Sequence, residues 1–169
     1  MFVAQRSLDL PKAAAYRVLN QQLAALFADE RDGLANSANL AALLYETLPE
    51  LNWAGFYFLR GGELLLGPFQ GKVACVRIAL GRGVCGTAAH ERRTIVVPDV
   101  EAFPGHIACD AASRSEIVLP LLQGEQLLGV LDLDSPRAAR FDQDDAEGLA
   151  GAVQLLLSHS DMSRLCTEA

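Results

Sequence analysis

Three cysteines, Cys75, Cys85 and Cys109, stand in mid-chain, near three carboxylates further on, Glu116, Asp132 and Asp134. These residue types make up the equipment of thiol redox chemistry. One thiolate attacks, a second thiol resolves the sulfenic acid that results, and acids manage the protons. Clustered acids also favour a small cationic or zwitterionic substrate. A plainer reading stands beside each feature. Free cysteines are often only small buried hydrophobes, and that reading suits Cys75, on an expected strand. Cysteines with His106 could hold zinc, but the Cys75–Cys85 and His106–Cys109 spacings lack the paired CxxC knuckles of structural sites, so no metal is expected. Cys166, His90 and His159 have no arrangement around them that points to a role.

The acids gain meaning from strand geometry. Residues 116–122 and 126–134 read as two strands of a hairpin. With the loop centred on Gly124, Leu122 pairs with Gln126 and Glu116 faces Asp132, both side chains on one face. Asp134 shares that face by the two-residue period, and a slip of one residue would break the alignment. Two carboxylates about 5 Å apart repel by roughly 3 kcal/mol at an effective dielectric of 20. A cation, a shared proton or a catalytic need must offset that repulsion. The competing reading is that LGVLDLD simply alternates outward from a half-exposed sheet. Trp53 and Tyr57 share a face of an earlier strand, either as core or as an aromatic wall able to stabilise a cation.

The elements that must position these residues follow from periodicity. Asp9 and Pro11 open a helix with Tyr16, Leu19, Leu23, Leu26 and Phe27 on one side. Asn36 or Ser37 caps a second helix carrying Leu40, Leu43, Leu44 and Leu48. Residues 52–60 and 63–68 form a hairpin around Gly61-Gly62, and a further strand runs through Ala74–Ile78. Gly81, Gly83 and Gly86 surround a short helix near Val84–Glu91, followed by a strand at Thr94–Val97. Residues 98–115 make a connection long enough to be functional. Asp142 caps a last helix with Leu149, Val153 and Leu156 on one face. The pattern predicts an α+β domain: a central antiparallel six-stranded sheet, helices packed on one face, and ligand-enclosing loops on the other.

Composition narrows the function classes. The chain has 169 residues, 51% hydrophobic and 21% charged, which suits one ordinary globular domain. A net charge of −7 argues against nucleic acid as a partner. No apolar run is long enough for a membrane span, and the N-terminus lacks a secretory core. A cytoplasmic location is therefore expected, where thiols stay reduced and available for chemistry.

The segments NWAGFYF, GPFQGKVACVRI, GRGVCGTA, GHIACDAASRSEIVLPL and GVLDLDS closely resemble the free methionine-(R)-sulfoxide reductases, built on a single GAF domain. The likeness runs in order from the first hairpin to the last strand and implies one GAF domain over residues 1–169. It implies reduction of free L-methionine (R)-S-oxide to L-methionine. Cys109 matches the attacking cysteine, Cys75 the resolving one that forms an intramolecular disulfide, and Cys85 a third whose part in recycling is open. Glu116, Asp132 and Asp134 match the acids that hold the substrate's ammonium and assist at its oxygen. Trp53 and Tyr57 match the wall around the methylsulfinyl group. The resemblance also implies no tightly bound cofactor, thioredoxin as the source of reducing equivalents, and, since GAF domains often pair through their terminal helices, a homodimer. Two alternatives stay open at this point: a ligand-binding GAF sensor module, and a thiol redox sensor without turnover. One tension is built in, because neighbouring acids oppose formation of a thiolate.

Overall fold

Pro11 stands in extended conformation immediately before helix α1, Lys12–Leu26, which buries Tyr16, Leu19 and Leu23. The computed structural model describes residues 2–5, 9–105 and 110–166. Helix α2 spans Gly33–Thr47, and its cap is Asp32, whose side chain accepts from the Ala35 N–H at 2.9 Å. The expected caps Asn36 and Ser37 instead lie buried inside α2, where Ser37 Oγ donates to Gly33 O. A cap needs non-helical backbone before the first turn, and the Asp32-Gly33 break already supplies it.

Among the described residues the strands are β1 Trp53–Arg60, β2 Glu63–Gly71, β3 Arg77–Ala79, β4 Ile95–Val97, β5 Ser115–Gln123 and β6 Gln126–Ser135. They form one sheet in the order β3-β2-β1-β6-β5-β4, every neighbouring pair antiparallel. Cys75 falls outside β3: residues 72–76 form a connection ahead of it. Helix α3, Gly83–Glu91, and a 3₁₀ turn at Val100–Ala102 join β3 to β4 and β4 to β5. Helix α4, Gln143–His159, closes the fold with a capping box between Asp142 and Asp145.

The alternation of each strand divides the interior in two. Helices α1, α2 and α4 pack Leu23, Phe27, Leu40, Leu44 and Leu156 on Phe56, Leu131 and Leu133. Across the sheet, α3 packs Val84, Ala88 and Ala89 on Trp53, Tyr57, Val118 and Val130. So one short helix accompanies the loops on the ligand-enclosing face. Under the first layer a buried charge is fully answered: Asp145 accepts from Tyr16, Arg140 and Lys12, the pairing a dry carboxylate requires. Among the described residues no helix is long and apolar enough to cross a membrane.

Candidate active site

The acids meet because of two departures from a plain hairpin. The β5–β6 turn is the pair Gly124-Glu125, with Gly124 at a φ of 61° and Gln123 opposite Gln126. Continued unbroken, that register would set Glu116 beside Leu133 and send it to the helix face. A bulge intervenes between Leu121 and Leu122, whose partners are Gly129 and Leu127, and it restores the parity. Gly129 permits it: its φ is 156°, and a Cβ there would overlap the Tyr57 carbonyl oxygen. Glu116 therefore lies opposite Asp134, and Asp132 opposite Val118. The expected Glu116–Asp132 pairing is off by two residues, which leaves all three acids on one face. On the other side of β6, Trp53 pairs with Asp134 and Gly55 with Asp132.

The aromatic residues build the wall and carry a strap. Gly55 has no side chain, so the Trp53 ring lies over it; a Cβ there would sit 2.7 Å from Trp53 Cη2. Trp53 stacks against Phe69 and Tyr57, with ring centroids 5.3 and 5.9 Å away. Its Nε1–H donates to the Lys72 carbonyl at 3.1 Å, and the Tyr57 hydroxyl donates to the Cys75 carbonyl at 3.1 Å. The 72–76 connection is thereby pinned at both ends beside the cavity. A second loop closes another side. Asp110 accepts from the Ala112 N–H and from Asn52, and pairs with Lys72 at 3.2 Å. Asn52 also donates to Ser113, which in turn donates to Asp134.

Burial sets the electrostatics. Glu116 and Asp132 are each only 6% exposed, and Asp134 is half-buried. Desolvation raises Glu116 well above the usual carboxylate range, and the charges of Asp132 and Asp134 push it further. Glu116 thus holds its proton more tightly than an exposed carboxyl does, and it is hydrogen-bonded to Asp132. Burial raises Asp132 to about 7, held from going higher by bonds from Cys85 and Glu116. Asp134 is likewise raised, by desolvation and then by Asp132. The fully buried Cys85 thiol, its Sγ 4.0 Å from Glu116 Oε1, is pushed up by burial and then by Asp132 and Glu116, so it rests as a thiol. The cluster can store a proton, receive a cation, and deliver the proton to an oxygen placed beside it.

Of the residues singled out in the sequence, Trp53, Tyr57, Cys85, Glu116, Asp132 and Asp134 line one cavity of about 40 Å³. Cys75 belongs to the strap beside it and is half-buried. Cys109 and His106 lie outside the described residues; Asp110, next to Cys109 in the chain, lines the cavity. Sequence reasoning missed Lys72, Arg82, Asp110 and Ser113, which also line it. Asp110-Ala111-Ala112 has the composition of an Asx turn, and that was the one available signal.

Comparison with known sequences decides the family, since the sequence model of the GAF domain matches residues 4–157. The chain belongs to the GAF-domain family. Within the GAF domains it groups with the free methionine-R-sulfoxide reductases. It is 54% identical over 145 residues to a protein of that name from Escherichia coli (strain K12), covering 86% of this chain and 88% of the relative. A protein of the same name from Saccharomyces cerevisiae (strain ATCC 204508 / S288c) is 47% identical over 128 residues, covering 73% and 71%. The X-ray structure of free methionine-R-sulfoxide reductase from Neisseria meningitidis in complex with its substrate superposes with a TM-score of 0.91 at 46% identity, covering 97% of this chain and 98% of that one. On this GAF domain, the acids and Cys85 occupy the sheet face that α3 and the two loops enclose.

Proposed function

We propose that this GAF domain reduces free L-methionine (R)-S-oxide to L-methionine. The observation that carries the reading is the carboxylate trio beneath the Trp53–Tyr57 wall, with Glu116 raised well above the usual carboxylate range and Asp132 raised to about 7 by burial. The substrate's α-ammonium enters between Asp132 and Asp134, and its positive charge draws both toward the ionised form. A methionine sulfoxide within a polypeptide has no such ammonium, so the site selects the free amino acid. Trp53 and Tyr57 flank the methylsulfinyl group.

Sulfoxide oxygen leaves sulfur only once protonated, and Glu116 is the donor. The Cys109 thiolate attacks the substrate sulfur and forms an S–S bond to it, while the S–O bond breaks and the oxygen, taking a second proton, leaves as water. Water then attacks the Cys109 sulfur, the S–S electron pair leaves with the thioether of methionine, a proton is released, and Cys109 is left as a sulfenic acid. The Cys75 thiol then attacks the Cys109 sulfur, expelling water and leaving a disulfide. Thioredoxin's dithiol reduces that disulfide and restores both thiols. Cys85, held as a thiol beside Glu116, stays in reserve for recycling. A cytoplasmic setting supplies thioredoxin, and pairing through the terminal helices gives a homodimer; both belong to this proposal.

The test is NADPH consumption in a mixture of the chain, thioredoxin and thioredoxin reductase. Turnover of the R epimer, lost on Cys109→Ser, is expected. Formation of a Cys75–Cys109 disulfide without methionine release would instead make the chain a thiol redox sensor.

A further inference from the structure

Cys85 Sγ and one oxygen each from Glu116 and Asp132 lie within 4.8 Å of one another, all three side chains buried. They come from different elements, α3, β5 and β6, so the cluster is built by the tertiary fold. A second observation points to a missing partner: Asp132, only 6% exposed and lining the cavity, buries an Oδ1 that has no hydrogen-bond partner among the described residues. An orphaned carboxylate oxygen in a dry site is costly unless something binds it. We infer that Cys85, Glu116 and Asp132 form a binding site for zinc or a cation of its class, and that this cation competes with the amino-acid ligand.

One thiolate and two carboxylates make a three-ligand set with one tetrahedral position left over, the arrangement zinc adopts when a water or ligand completes its shell. In such a shell the donor atoms stand about 3.3–3.7 Å apart, from bond lengths of about 2.0–2.3 Å. The Cys85–Glu116 separation is 4.0 Å and every pair lies within 4.8 Å, so side-chain rotations that move donor atoms by up to about an ångström close the shell. The soft sulfur donor selects against magnesium and calcium, which demand six or more hard oxygens. This donor set differs from the cysteine–histidine set that sequence spacing disfavours, because the sheet register supplies the two acids.

The competition half rests on the proposed function, since the ammonium and the cation would share Asp132. The experiment uses the reduced chain with Cys75, Cys109 and Cys166 all replaced by Ser, leaving Cys85 as its single thiol. Cobalt(II) should give a thiolate-to-metal charge-transfer band at one metal per chain. Zinc should displace it, and calcium should not. Glu116→Gln should weaken zinc binding at least tenfold, Cys85→Ser should abolish the band, and saturating methionine should raise the apparent zinc dissociation constant in proportion to its concentration. Absence of the band, or zinc affinity unmoved within twofold by both Glu116→Gln and Cys85→Ser, overturns the site. Zinc bound there but indifferent to methionine overturns the competition. Zinc and methionine competing in this variant, with no sulfoxide reduced by the unsubstituted chain, would uphold the inference and remove the proposed reductase.

Discussion

Replacing Asp132 by Asn removes a carboxyl that burial raises to about 7 in the folded chain from an ordinary 3.8. Below pH 3.8 the acid is protonated in both folded and unfolded chains and its stability contribution is fully present. Between 3.8 and about 7 the unfolded chain releases a proton that the fold retains, so stability falls with rising pH by about 1.4 kcal/mol per unit. Above about 7 both states are ionised and the loss is complete, on the order of 4 kcal/mol in all. Asn cannot ionise, so the Asp132→Asn chain escapes the loss. Urea unfolding of both chains across this window gives two stability profiles, and their difference isolates Asp132 together with Glu116, Asp134 and Cys85, which its charge raises. The variant should gain on the wild type by about 4 kcal/mol between pH 4 and pH 8, or roughly 10 °C in Tm for a domain of this size. A difference flat to within about 1 kcal/mol would mean Asp132 titrates like a wetted carboxylate, and the dry-site reasoning would fail.

Glu116→Gln keeps a neutral donor toward Asp132 but has no proton to transfer, so kcat should fall at least tenfold, about 1.4 kcal/mol, while stability at neutral pH should rise rather than fall, because Gln escapes the linkage loss of a raised carboxyl; wild-type kcat would remove Glu116 from the chemistry. Cys75→Ser should still release one methionine per chain in a single turnover yet recycle slowly with thioredoxin, and loss of the first turnover would overturn the division between Cys75 and Cys109. Asp145→Ala leaves Arg140 buried without its main partner, so unfolding by urea should show a loss of about 3–5 kcal/mol. Its kcat/KM per folded chain should stay unchanged.

Several features were legible because one period governed them. Alternation along LGVLDLD sent Leu131 and Leu133 to the helix layer and Asp132 and Asp134 to the opposite face. The i, i+3 and i+4 spacing of Tyr16, Leu19 and Leu23 marked the buried side of α1. The exact pairing of Glu116 was not legible. It depends on a bulge whose only trace in the sequence is Gly129, and on the Tyr57 carbonyl that crowds it from another strand. Capping of α2 was misplaced because Asn36 and Ser37 are good caps in isolation, while Asp32 holds the position where the backbone turns. Cys75 looked like a strand residue by composition. The Tyr57 bond to its carbonyl, a tertiary contact, holds it in a strap instead. Lys72 and Asp110 meet across loops far apart in sequence, and no local pattern announces such a pair.

Recognition of an amino acid's ammonium by Asp132 and Asp134 is tested most directly by comparing kcat/KM for methionine (R)-S-oxide with that for its N-acetyl derivative. Acetylation removes the positive charge while leaving the sulfoxide intact. A buried charge-assisted contact of this kind is worth about 3 kcal/mol, so the acetylated compound should react at least a hundredfold more slowly. Equal rates would show that the carboxylates do not read the ammonium, and would contradict the assignment of the site.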